Sequence, residues 1–196
     1  MTAINLKQLA LLTITRPAEA AQLVIGNRPG RQVLWIGLAL VAVLNGVLLG
    51  LSVVIDPVPA EAPPMFRNPM MYLVVVTVLI VVSIYALYWV GRVMGGKGSL
   101  EDIMAIVVWL QLLRITVQFG VLIIGLISPG LATMTALAIT LIGIWIILHF
   151  IRQAHQLGSI GQAVMVGLGA FVLMTLALSI LIALFGVQLL GPAFHV

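Results

Sequence analysis

Residues 103–127 read IMAIVVWLQLLRITVQFGVLIIGLI. This stretch holds a single charge, Arg114, and no proline. As a helix rising about 1.5 Å per residue it is about 37 Å long, enough to cross a hydrocarbon core about 30 Å thick. Immediately before it stands Ser99-Leu100-Glu101-Asp102. That pattern predicts a capping box. Ser99 caps the helix, Asp102 reaches back to the Ser99 N–H, and both acids lie at the positive end of the helix dipole. Immediately after it, Ser128-Pro129-Gly130 is all that separates it from a second apolar run, Leu131–Ile151. So short a link forces an antiparallel helical hairpin.

The same pattern extends in both directions. Apolar runs lie at about 34–55, 70–90, 103–127, 131–151 and within 163–190. They predict five membrane-spanning helices. The last run is longer than a span requires, so it tilts or protrudes. All prolines fall outside the span interiors, and Pro57, Pro59, Pro63, Pro64 and Pro69 crowd the link between the first two spans. That link is expected to be extended and polyproline-like, without a core of its own.

Composition agrees. The 196 residues are 63% hydrophobic and 7% charged, against about 45–50% and about 25% in soluble domains. A soluble chain of this length could not hide so much apolar side chain. A soluble domain, a disordered chain and a basic nucleic-acid-binding module are excluded. The fold class is all-α, a polytopic membrane bundle with short amphipathic N-terminal helices. Residues 1–33 form a cytoplasmic or interfacial segment, and residues 34–196 form the membrane domain. Cysteine is absent, which removes disulfides, thiolate metal sites and a cysteine nucleophile. Residues 1–33 are interrupted by Arg16, Pro17, Glu19, Asn27, Arg28 and Pro29, so an uncleaved first span is expected rather than a signal peptide.

Within that segment, Thr15 is expected to cap a second short helix, with Pro17 in its first turn and Glu19 at its positive end. Gly26-Asn27 would stop it. Ala20, Leu23 and Val24 suggest that it lies on the membrane surface. A poorly ordered tail is the alternative.

Charge position gives orientation. Lys7, Arg16, Arg28 and Arg31 precede the first span, Arg92 and Lys97 lie between spans two and three, and Arg152 follows span four. Arg67 alone lies on the other side. The positive-inside rule puts the N-terminus in the cytoplasm, and an odd number of spans puts the C-terminus, with His195, in the periplasm.

Arg114 is the most unusual residue. An arginine at the centre of an isolated span costs about 2.5–3.5 kcal/mol on insertion scales. Gln111, Arg114 and Gln118 share one helix face, and no span contains an acid. The guanidinium must turn to Gln111, Gln118, Asn45, tyrosines, backbone carbonyls, a lipid phosphate or another protein. Two readings follow: an anion, lipid or partner site, or an interhelical polar cluster that orders the bundle. Gly46 and Gly50 in span one, Gly120 in span three and Gly167 in span five are candidate helix-packing positions.

Other motifs lead away from catalysis. Gly91–Gly98 approaches a phosphate-binding loop, but Gly98 follows Lys97 where a hydroxyl would hold magnesium, and Ser99 comes one position late. The simpler reading of Gly96, Lys97, Gly98 and Ser99 is a glycine turn that ends one span and caps the next. His149 and His155 lack the spacing of a helical zinc pair, and with Arg152 they are expected to meet lipid headgroups. Trp35, Trp89, Trp109 and Trp145 suit interfacial anchoring. No nucleophile–base pair stands out, so catalytic, metal and cofactor sites are all expected to be none, and neither nucleotide nor nucleic acid is an expected partner.

The run Gly95-Gly96-Lys97-Gly98-Ser99-Leu100-Glu101-Asp102, between spans two and three, resembles the corresponding loop of bacterial Yip1-domain proteins. Thr15-Arg16-Pro17-Ala18-Glu19-Ala20-Ala21 is similar to the short proline-containing helix that precedes the first span in that family. Where relatives often carry a small residue and proline in span three, this chain has Gln111 to Arg114. The tyrosine-glycine motifs of eukaryotic members, which act with Rab-type GTPases in vesicle traffic, are not evident, and that role is not carried over. The resemblance implies five spans, a cytoplasmic N-terminus, a bacterial inner-membrane location and no catalytic residues. The expected function is a non-enzymatic scaffold or accessory subunit acting by helix–helix association, with lipids and another membrane protein or a second copy as partners. The alternative is a small transporter or lipid-handling protein with an anion or headgroup site around Arg114.

Overall fold

The structure is a computed structural model that describes residues 5–59 and 62–190. Among these residues all regular structure is helical. In chain order the helices are α1 (Leu6–Thr15), α2 (Pro17–Gly26), α3 (Arg31–Ile55), α4 (Pro64–Arg67), α5 (Pro69–Val93), α6 (Leu100–Ile127), α7 (Pro129–Ala154) and α8 (Ile160–Leu190). Five of them, α3, α5, α6, α7 and α8, are long and apolar enough to cross a membrane. The expected position of His195 lies outside the described residues.

Hydrocarbon offers no hydrogen-bond partner, so each helix must satisfy its own backbone and cap its own ends. The caps use residues visible in the sequence. Ser99 Oγ accepts the Asp102 N–H at 3.1 Å, and Asp102 Oδ2 accepts the Ser99 N–H at 3.0 Å. Asn68 Oδ1 accepts the Met70 and Met71 N–H groups, with Pro69 in the first helical position. Ser128 ends α6 and caps α7, so the hairpin turns on that one residue, and Pro129 already belongs to α7. Proline suits a first turn because that N–H has no helical partner.

Two local expectations are corrected. Thr15 does not cap α2. Its hydroxyl donates to the Leu11 carbonyl inside α1, and Arg16 takes the cap position without a side-chain bond. The proline-rich link is not extended throughout. Pro63 and Pro64 start a single helical turn, α4, which rests against α5 and α8.

The packing is uneven along the bundle. α3 lies against α5 and α6, α6 against α7, and α8 against α5 and α7. Gly37 lets α3 approach α6, since a Cβ there would come within 2.9 Å of Val108. Gly169 does the same for α8 against Val90 of α5, at 2.8 Å. The main core joins Leu34, Leu38 and Val41 of α3, Ile80 and Ile84 of α5, Ile103 to Val107 of α6, and Ile146 and Phe150 of α7. These residues gather toward the end of the bundle that carries most of the basic residues. Toward the other end, Phe119, Ile123, Leu131, Leu137 and Leu141 are exposed, as suits side chains solvated by lipid tails.

The N-terminal helices are part of the core. Leu9, Thr13, Ala20 and Ala21 are buried, and α2 packs on α7 and α6. The Trp109 indole N–H donates to Thr13 Oγ1 at 3.0 Å, and Thr13 in turn donates to the Leu9 carbonyl at 2.8 Å. Trp109 is therefore an internal tie, not a free interfacial anchor. Trp109→Phe removes one hydrogen bond and keeps the ring, at a cost of about 0.5–1.5 kcal/mol. Faster protease cleavage within residues 6–26, with a lower melting temperature in detergent, is the expected result. Unchanged cleavage would show that the tie does not hold α1 in place.

Candidate functional site

α3 and α6 run side by side and bring two polar residues together inside an apolar bundle. Asn45 is buried at 2% exposure, and its amide donates to the Val41 carbonyl of its own helix at 2.8 Å. This leaves Asn45 Oδ1 free to accept. Arg114 stands opposite, near the middle of α6.

Helical spacing sets the rest of the site. Gln111 and Gln118 flank Arg114 one turn below and one turn above. Arg114 Nε–H donates to Gln111 Oε1 at 2.8 Å, Nη1–H to Gln118 Oε1 at 2.9 Å, and Nη2–H to Asn45 Oδ1 at 2.5 Å. All three acceptors are neutral. A guanidinium has five N–H donors, so this set uses only part of its capacity and none of its charge. Arg114 itself is exposed at the side of the bundle. The acids nearest in its own helix are Glu101 and Asp102, about 18–20 Å along the axis. The Arg16–Glu19 contact at 3.4 Å is the only salt bridge among the described residues.

Such an arrangement holds a cation near mid-span at the side of the bundle. Neutral oxygens hold the guanidinium plane in one orientation and leave its charge unneutralised. The cavity beside Trp35, Leu38 and Met104 and the groove beside Tyr85, Trp89 and Leu173 are apolar, and neither includes Arg114, Gln111 or Gln118.

The candidate packing glycines separate into two groups. A Cβ on Gly46 would meet Leu73 at 3.6 Å, and one on Gly167 would meet Ile151 at 3.8 Å, both ordinary contacts. Gly50 and Gly120 have nothing within 4 Å. Sequence reasoning missed the glycines that are tightly enclosed. A Cβ on Gly91 would fall on the His155 ring, and one on Gly96 would sit 2.7 Å from the Gly91 carbonyl. One on Gly98 would sit 2.5 Å from the Ala154 carbonyl. The signal was present in the spacing of Gly91, Gly95, Gly96 and Gly98, but the object they enclose lies more than fifty residues away in the chain.

That object corrects a further expectation. His155 does not meet lipid headgroups. It is wholly buried at the end of α7, under the loop from Met94 to Ser99. Arg152 also turns inward, toward the Leu157 and Gly158 carbonyls. His149 Nδ1 pairs with the Trp145 carbonyl at 2.9 Å. Lys97 contributes its backbone to the loop, its N–H donating to the His155 carbonyl at 2.9 Å. Ser99 serves as the cap of α6.

Comparison with protein families finds a match described as Yip1 domain over residues 11–182. No curated protein and no solved structure matches the chain.

The two glycine groups should respond differently to alanine. Gly91→Ala forces overpacking against His155, at about 1–3 kcal/mol, and should lower the melting temperature in detergent. Gly120→Ala meets open space and gains helix propensity of up to about 1 kcal/mol, so its melting temperature should hold or rise. Equal losses in both variants would contradict the enclosure of Gly91.

Proposed function

The chain belongs to the Yip1 domain family, a multi-pass membrane family that it matches over residues 11–182, and from that premise we propose that it acts as a non-enzymatic scaffold or accessory subunit. It associates with another membrane protein, or with a second copy, through its helices. Where the partner is another protein, Arg114 is the contact that selects it, since no span of a second copy carries an acid.

One observation carries this reading: a cation at mid-span, oriented by Gln111, Gln118 and Asn45 and exposed at the bundle side with no acid beside it. Intramembrane charges are costly and pair with opposite charges where they can. A carboxylate on a neighbouring helix is the complement that this geometry accepts. The apolar, unpaired surfaces of α6 and α7 toward the proline-loop end give such a helix room to lie alongside. Basic residues at the opposite end support a cytoplasmic N-terminus by the positive-inside rule, and an inner-membrane location is part of the same proposal.

The alternative, a transporter or lipid-handling protein, draws on the same cation. A phospholipid phosphate pairs with Arg114 on this reading, and the apolar cavity and groove described above, which do not include Arg114, give an aqueous path to it no support.

The test is affinity purification of the tagged full chain from its native membranes, with quantitative mass spectrometry of proteins and lipids. A stoichiometric membrane partner should be retained by wild type and fall at least about tenfold with Arg114→Leu, a change on the order of 1.4 kcal/mol. Neutralising an acid in that partner's span should have the same effect. Identical partner sets with and without Arg114 would remove it as the contact. A clean protein that retains only lipid and runs as a monomer in detergent would overturn the scaffold reading.

A further inference from the structure

The Met94–Ser99 loop closes over His155 in a way that leaves the imidazole unusually enclosed. The ring is wholly buried. It occupies space left by three glycines: Gly91 in the last turn of α5, and Gly96 and Gly98 in the loop. Any side chain at Gly91 would overlap the ring, and a Cβ at Gly96 would stand 2.8 Å from Nδ1. Two backbone bonds hold the loop down. Gly96 N–H donates to the Gly91 carbonyl at 2.8 Å, and Lys97 N–H to the His155 carbonyl at 2.9 Å. Gly95 makes the turn with φ +84°, a left-handed conformation that glycine adopts without strain.

Neither ring nitrogen has a partner in hydrogen-bond geometry, the Leu87 carbonyl lying near the ring without closing a bond. A neutral imidazole carries one donor and one acceptor, and an imidazolium carries two donors. Protonation therefore adds a second unsatisfied donor and a charge to a closed, water-excluded seat. Burial holds the His155 pKa below its ordinary value. The Leu87 carbonyl on α5 and the Asp102 carboxylate on α6 favour the charged form, while Arg92 on α5 opposes it. Asp102 is engaged in the cap of α6. From the other elements, Lys97 rides on the loop, Arg152 of α7 is turned to the Leu157 and Gly158 carbonyls, and Glu19 of α2 is paired with Arg16 at the surface. α8 carries no titratable residue.

We propose that His155 is a proton-operated latch: the neutral ring lets the Met94–Ser99 loop close over the end of α7, and protonation drives the ring out and frees the loop. The sign follows from the lowered pKa. At neutral pH the ring is uncharged whether the loop is open or closed, and closure is at full strength. As the pH falls below about 6.5, the usual histidine value, the open form takes up the proton first and the equilibrium moves toward it. Acidification at the basic face of the protein would thus release the glycine segment and loosen the start of α6 that it caps.

Hydrogen exchange on the intact protein in lipid nanodiscs tests this, with protection of residues 94–99 corrected for intrinsic rates at pH 7.5 and 5.5. Protection should fall severalfold, up to about tenfold, on acidification in wild type and in His149→Gln, the limit for one proton taken up near 6.5 by the open form alone. It should be independent of pH in His155→Leu, or in His155→Phe, which keeps a flat ring in the same seat. A wild-type loop equally protected at both pH values would overturn the latch, as would a fall that persists without His155. Histidine NMR on the unmodified chain gives an independent reading. A His155 signal titrating at the ordinary value without change in the loop resonances would also overturn it.

Discussion

Lipid tails neither donate nor accept a hydrogen bond, and this single constraint organises the molecule. It makes helices the spanning elements. It sends prolines to first turns and links, and it requires a side-chain oxygen at the helix starts that Ser99, Asn68 and Ser128 cap. It also makes the two exceptions meaningful. Arg114 lies in the apolar zone because three neutral oxygens receive it. His155 is enclosed at its edge with neither ring nitrogen in a hydrogen bond. One is a charge held in position, and the other is a neutral group whose charging the fold opposes.

These features lie at different places along the bundle and use different physics. The Arg114 set is lateral, facing outward between α3 and α6, and suits a partner within the membrane plane. The His155 seat is axial, at the end where loops, N-terminal helices and most buried side chains converge. Gathering of the core at that end gives the loop a rigid floor. The less covered helix surfaces toward the other end remain solvated by lipid or by another helix.

Much of the architecture is legible in residue order. The spans follow from apolar length, the capping box from Ser99 and Asp102, and the hairpin from the brevity of the link at Ser128. The face shared by Gln111, Arg114 and Gln118 follows from helical spacing, and Asn45 was among the few polar groups able to answer it. What stayed hidden is lateral. In a soluble helix, polar and apolar faces reveal which side is buried. Here the two environments are equally apolar, so nothing in α7 announces that Phe150 is enclosed while Leu141 is exposed. The docking of α1 and α2 on α6 and α7 rests on two side-chain bonds, Trp109 to Thr13 and Gln22 to Gln153, and on the small side chains of Ala20 and Ala21. No local pattern encodes that pairing. Thr15 failed as a cap because its hydroxyl found a closer acceptor in the preceding turn.

The hairpin at Ser128 bears on biosynthesis as well as on form. A turn of one residue cannot cross the bilayer separately from the helices it joins, so α6 and α7 must insert as a pair. The strongly apolar α7 then offsets the penalty of carrying Arg114 inward, about 2.5–3.5 kcal/mol for a lone span. Because α3 emerges from the ribosome earlier, Asn45 is already in the membrane when Arg114 arrives. The order of translation thus supplies the acceptor before the charge that needs it.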